Sequence, residues 1–224
     1  MKWLSEIRRP DLAIAYSKLF SFSVNDIHCS WLDTLSISDY LNKYSININQ
    51  NPYINRMIFS ELNIPFPQSP EIEQPIDPLL LMKQSSLLRL LSLLGSIQFQ
   101  QEISHTIVSK DLANLKNNIG RDNYEFAINF GRLYALPYLD NKNELKKIFE
   151  TDQLRALECA GAQTLFNAIN QPNHTIVSII KYKLPTYVAE YLSADYVADP
   201  LYNVRNKAVK IAKDNAIACY HLLA

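Results

Sequence analysis

Apolar residues recur along most of this chain at helical spacing, and alternating or β-branched runs closed by Asn-Gly or Asp-Gly turns are missing. The pattern therefore predicts an all-α fold, an irregular multi-helix bundle with a short proline-rich connecting segment. Leu4 to Leu19 holds a short helix, with Pro10 at its start or at a kink. SISDYLNKY offers Ser38 as a cap for a turn carrying Tyr40, Leu41 and Tyr44. In NPYINRMIFSEL, Asn51 takes the N-cap and Pro52 the first helical position, with Ile54, Ile58 and Leu62 on one face. IPFPQSPEIEQPIDP carries five prolines and reads as an extended strap or linker.

Asp77-Pro78 then opens the most hydrophobic helix, LLLMKQSSLLRLLSLLGSIQF. Leu80, Leu87, Leu91 and Leu94 share a face that Leu79, Leu88 and Leu90 widen almost to a full circle. A helix this apolar belongs at the centre of the fold. Gly95 either admits a close neighbour or breaks the rod. QQEISHTIV continues helically through Ile103 and Ile107. SKDLANLKNNIG starts at Ser109 and stops at Gly120, and DNYEFAINFGRLYAL runs from Asp122 until Pro137.

Asn143 caps a long helix or a broken pair with Leu145, Ile148, Phe149, Leu157, Leu165 and Ile169 inward. Pro185 restarts a helix through Val188, Tyr191 and Leu192, and the last helix spans about Tyr202 to Leu222. The chain thus divides into 1–62, an N-terminal helical and irregular region, 63–78, an acidic proline-rich linker or strap, and 79–224, the main helical domain.

Composition narrows the function classes. A chain of 224 residues with 48% hydrophobic and 20% charged residues can bury a sizeable core. Its formal net charge of +0 argues against a general nucleic-acid binder. Only four glycines occur, too few and wrongly placed for a phosphate-cradling or dinucleotide-binding loop, so no cofactor is expected. No signal-peptide pattern opens the chain, and LLRLLSLLG is too short to span a bilayer, so a cytoplasmic protein without membrane insertion is expected. Cys29, Cys159 and Cys219, odd in number and widely spaced, read as free buried thiols.

Candidate chemistry is sparse. FSFSVNDIHCSWLDTL sets His28 beside Cys29, but neighbouring side chains usually diverge and no further ligands stand at metal spacing. No metal or catalytic residue is therefore expected. Glu71 and Glu73 lie in the strap, and Asp152 and Glu158 face differently on a helical segment, so neither pair forms a general acid–base dyad. SKDLANLKNNIGRDNYEFAINFG has the outline of a helix-turn-helix, yet its second helix offers Asp122, Tyr124, Glu125 and Phe130 where a reader of bases would carry basic and amide side chains. Thirteen tyrosines, by contrast, suit protein interfaces.

Two segments resemble a known family. FSFSVNDIHCSWLD resembles the N-terminal signature of the K-subunit family (SctK) of type III secretion systems, through its aromatic lead into Ser30-Trp31-Leu32. LLRLLSLLGSIQFQQEISHTIVSKDLANLKNNIGRDNYEFAI is similar to the same family's central region, and the tail after Pro172 lies outside the resemblance. The resemblance implies a non-catalytic cytoplasmic accessory protein of the injectisome sorting platform, held at the cytosolic face of the inner membrane. It would link the cytosolic domain of the inner-membrane ring D subunit to the Q-subunit pod. A connector needs two faces. Phe22, His28 and Trp31 are the first candidate, and the basic last helix with Arg205, Lys207 and Lys210 is the second. Competing readings are a secretion chaperone or other helical binding module, and an enzyme whose centre converges on His105 or His174.

Overall fold

The computed structural model describes residues 14, 23–36, 38, 52–64, 77–106, 109–134, 136–137, 139, 141–169, 174–192, 202–215 and 217, and every regular element among them is helical. In chain order the α-helices are α1 (Cys29–Leu32), α2 (Pro52–Glu61), α3 (Gln84–Gln98), α4 (Gln100–Ser104), α5 (Ser109–Ile119), α6 (Arg121–Phe130), α7 (Lys142–Thr151), α8 (Gln153–Ala168), α9 (His174–Lys183), α10 (Thr186–Ala189) and α11 (Tyr202–Asp214). Short 3₁₀ turns occupy Val24–Asp26 and Pro78–Leu81. The all-α expectation therefore holds for the described residues. The chain forms two compact units, Met1–Gln84 with Gln171–Ala189, and Ser85–Asn170 with Glu190–Ala224.

The first unit is built from short pieces with specific ends. Ser23 starts the Val24–Asp26 turn by donating both its backbone N–H and its hydroxyl to the Asp26 carboxylate, at 2.8 and 3.0 Å. α2 buries Ile58 and Phe59 and ends in a Schellman motif. There the Asn63 N–H reaches the Ser60 carbonyl at 3.1 Å and the Ile64 N–H reaches that of Phe59 at 2.9 Å. Asn63 takes φ +52, a left-handed position that asparagine tolerates better than most residues. Leu62 and Ile64 are buried at that reversal, and Val24, Ile27, Ile179, Ile180, Leu184 and Val188 are among the unit's other buried apolar side chains.

In the second unit α3 is buried over most of its circumference, as its sequence requires. The predicted helix from Asp77 is two pieces, however. Asp77 accepts the Leu79 N–H at 3.0 Å and Pro78 opens a 3₁₀ turn. Met82 is then extended, so the helix proper begins only at Gln84. α8 lies antiparallel to α3 at very short range. A Cβ at Gly95 would overlap the Leu157 backbone, and one at Gly161 would overlap that of Leu91. Gly95 thus admits a neighbour and leaves the rod intact.

The long pattern after Asn143 is a broken pair. Asp152 ends α7 with its N–H on the Ile148 carbonyl at 2.7 Å and caps α8 by accepting the Arg155 N–H at 3.1 Å. Asn141, not Asn143, precedes the first helical residue of α7. α8 packs against α5, α7 and α11, while α6 packs on α4 and α5. Phe99 stacks on Phe149 with centroids 4.7 Å apart. Gln98 ties these helices with buried polar contacts, donating to the Pro137 carbonyl at 3.0 Å and to Thr164 Oγ1 at 3.1 Å. Lys142 in turn donates to the Gln98 carbonyl at 2.9 Å.

Three helices stop earlier than periodicity suggests. α4 ends at Ser104, α6 at Phe130 and α11 at Asp214. Gly120, at φ +83, separates α5 from α6 as glycine alone does readily. After α6 the N–H groups of Leu133 and Tyr134 fold back on the Phe130 carbonyl at 2.9 and 3.3 Å, which closes a turn before Pro137 is reached. Apart from Ile14, which is helical and exposed, the helix read over Leu4–Leu19 lies outside the described residues, as do the Tyr40–Tyr44 turn, the Asn51 cap, Ile107 and the proline strap's core.

A tryptophan clasp and a basic helix as candidate docking sites

His28 and Trp31 sit at the two ends of a single helical turn, α1. His28 is its N-cap, and its Nδ1 accepts the Ser30 N–H at 3.1 Å. A backbone N–H can only donate, so Nδ1 carries the lone pair and the ring is neutral. The Ser30 hydroxyl sits 2.9 Å from the same nitrogen and itself accepts the Thr186 N–H at 3.0 Å. The resulting relay runs from Thr186 through Ser30 to His28. Burial holds the His28 pKa below the usual imidazole value of 6.5, with Asp33 pulling weakly the other way.

The segment 182–186 receives α1 along its whole length. The His28 N–H donates to the Tyr182 carbonyl at 2.8 Å, and the Trp31 indole N–H donates to the Leu184 carbonyl at 2.8 Å. The Trp31 and Tyr182 rings meet edge to face at 4.9 Å. Lys181 places its ammonium 5.6 Å from the Trp31 ring centroid. The Tyr182 hydroxyl donates to the Leu62 carbonyl, which ties the end of α2 into the same cluster. Burial lowers the Lys183 pKa, opposed by Asp26. Trp31 is therefore half-buried with its polar handle engaged inside the unit, and the segment is a clasp.

Several expectations change at this point. His28 and Cys29 do not diverge fully, because the cap geometry leaves Cys29 Sγ 3.8 Å from His28 Nδ1. Cys29 is exposed, contrary to the buried thiol expected, since the opening residue of a one-turn helix has no neighbour over it. Cys159 is buried, and desolvation pushes its pKa up to about 12. Phe22 and Cys219 lie outside the described residues. His105 is exposed in the turn after α4, and of His174 only its backbone place at the start of α9 is described. Among the described residues no group of three or more His, Cys, Asp or Glu side chains could hold a metal ion.

The second candidate face is α11. Val204, Ala208, Ile211 and Ala212 are buried, so the helix packs by one stripe and turns its cations elsewhere. Arg205 and Lys207 are half-buried, and Lys210 is exposed with its Nζ 5.9 Å from the Tyr134 ring centroid. The Tyr134 hydroxyl donates to Asp214 at 3.1 Å. Burial raises the Tyr134 pKa, and the Asp214 contact adds to that rise.

Sequence reading missed the acceptors that complete the clasp. Leu184 and Tyr182 stand about 150 residues beyond Trp31, and a backbone carbonyl leaves no signature in sequence. It also missed Leu133, which its helical placement gave no reason to single out. The structure leaves that side chain 75% exposed.

Comparison with known proteins gives one family. The model of a family described as YOP proteins translocation protein K (YscK) matches residues 14–224, including the tail after Pro172. No curated protein and no solved structure matches the chain. With nearly its whole length covered, the chain belongs to the YscK family, the K-subunit family of type III secretion.

Proposed function

We propose that this protein is a non-catalytic structural adaptor of the type III secretion sorting platform, joining the cytosolic domain of the inner-membrane ring D subunit to the Q-subunit pod. The observation that carries the proposal is the family match over residues 14–224. The helical architecture supports it, because helices packed through Gly95 and Gly161 make the second unit stiff, as suits a body that presents a fixed surface to a partner. No described helix is long and apolar enough to cross a membrane; the position proposed for the protein, the cytosolic face of the inner membrane, rests on the family match. Phe22, His28 and Trp31 belong to one proposed face, and Arg205, Lys207 and Lys210 to the other.

Co-purification of the full chain with the D and Q subunits of its own secretion system tests the proposal. Both subunits should be retained by the wild-type protein. Reversing Arg205 and Lys210 to Glu together should weaken one of the two interactions with the melting temperature unchanged. Retention of neither subunit by wild-type protein would reject the adaptor reading.

A further inference from the structure

The turn that closes α6 projects apolar side chains beside the cationic end of α11. Leu133 is 75% exposed and Phe130 is 45% exposed. Tyr134 follows directly and fastens this turn to α11, with its hydroxyl on Asp214 at 3.1 Å and its ring under Lys210 at 5.9 Å. Lys210, Lys213 and Asp214 stand three and four residues apart and share one stripe of α11. Arg132, in the turn itself, is exposed, as is Lys213. Three cations, Arg132, Lys210 and Lys213, thus stand on the turn and stripe that carry the two projecting apolar groups, against one acid, Asp214, which keeps its charge while accepting the Tyr134 hydroxyl and leaves the surface net positive.

We propose that Phe130, Leu133, Arg132, Lys210 and Lys213 form a docking surface for an acidic amphipathic segment of a partner protein. Charge complementarity selects that occupant: Asp or Glu side chains meet Arg132, Lys210 and Lys213, and an apolar residue seats between Phe130 and Leu133. A nucleic acid would need more phosphate contacts than this surface supplies, on a chain whose formal net charge is +0. An anionic membrane is held by clusters of roughly four to eight basic residues, more than the turn and stripe carry. Leu133 has no packing role to explain it. The surface rests on the adaptor reading only for the identity of the partner, and its chemistry is independent of that reading.

Fluorescence titration of the full-length protein tests the surface. The probe is a synthetic helical peptide of about 20 residues with Glu on one face and Leu on the other. A second peptide replaces each Glu by Lys. Leu133→Ser, and Lys210→Glu with Lys213→Glu, should each weaken the acidic peptide about tenfold. The wild-type protein should ignore the Lys peptide, and the charge-reversed variant should bind it. Unchanged melting of Leu133→Ser separates lost docking from lost folding.

Absence of saturable binding by the wild-type protein, equal affinity for both peptides, or equal binding by the variants would overturn the surface. So would self-association, or binding to phosphatidylglycerol vesicles, that Leu133→Ser abolishes. If D and Q co-purify equally with wild-type protein and both variants, the surface fails while the adaptor reading stands. If neither subunit co-purifies, the adaptor reading fails and the peptide titration still decides the surface.

Discussion

The α-carbon of Gly95 faces the carbonyl of Leu157 so closely that a methyl group there would overlap it, and Gly161 stands in the same relation to Leu91. The two contacts are reciprocal, each glycine lying four residues after the leucine that the opposing helix meets. Leu93 and Cys159 stand midway between them and are both buried. The interhelical distance of the central pair is thus set by two missing side chains.

Gly95→Ala and Gly161→Ala should each destabilise the protein by about 3 kcal/mol, because backbone faces backbone and neither helix can yield locally. Gly120→Ala is the comparison. Nothing lies near a Cβ at Gly120, so its cost comes from φ +83 alone, and about 1–2 kcal/mol is expected. Urea unfolding of the three variants measures the ranking. Gly95→Ala unfolding at the wild-type midpoint would refute the close crossing.

Trp31→Phe keeps the ring contact with Tyr182 but deletes the N–H that the Leu184 carbonyl accepts at 2.8 Å. The loss should be about 1–2 kcal/mol, the cost of an unpaired acceptor. Trp31→Ala should cost more, since the Lys181 contact goes too. Thermal melts of the pair would expose an error if the two variants lost equal stability.

His28 gives the clasp a pH dependence of defined sign. Its folded pKa lies below 6.5, so the unfolded chain takes up the proton first. The contribution is complete above pH 6.5 and is lost as pH falls from there through the folded value. Protonated Nδ1 can no longer accept from Ser30, which names the contact that fails. His28→Asn keeps a capping oxygen without the titration. Between about pH 7.5 and 5.5 the wild-type urea midpoint should fall more than that of His28→Asn. Parallel pH profiles would remove His28 from the explanation.

Cys159, with its pKa near 12, should be inert while the protein is folded. In a Cys29→Ser, Cys219→Ser background, an aromatic disulfide reagent at about pH 8 should label nothing until urea is added. Restoring Cys29 should restore fast labelling, because that thiol is exposed. Rapid modification of Cys159 in buffer would show that the α3–α8 crossing opens readily.

Local pattern sufficed for whatever depends on local pattern. The leucine density of residues 87–94 placed α3 at the centre, the apolar spacing around Leu145 and Leu157 predicted α7 and α8, and Gly120 marked a helix boundary. Each follows from how one segment partitions between water and apolar surroundings, or from what one backbone angle allows. The FSFSVNDIHCSWLD segment likewise carried the family resemblance that the match over residues 14–224 bears out.

Tertiary structure decided the rest. Periodicity left open whether Gly95 broke α3 or admitted a neighbour, because only the approach of Gly161 from a distant helix distinguishes the two. It could not pair Trp31 with Leu184, since any residue supplies a carbonyl and only the folded path brings that one within 2.8 Å. Nor could it show that Leu133 faces water in the turn that Tyr134 fastens to α11, because α6 stops at Phe130 on turn bonds that spacing does not encode. Helix formation answers to neighbours in sequence, whereas surfaces are made where segments far apart in the chain meet.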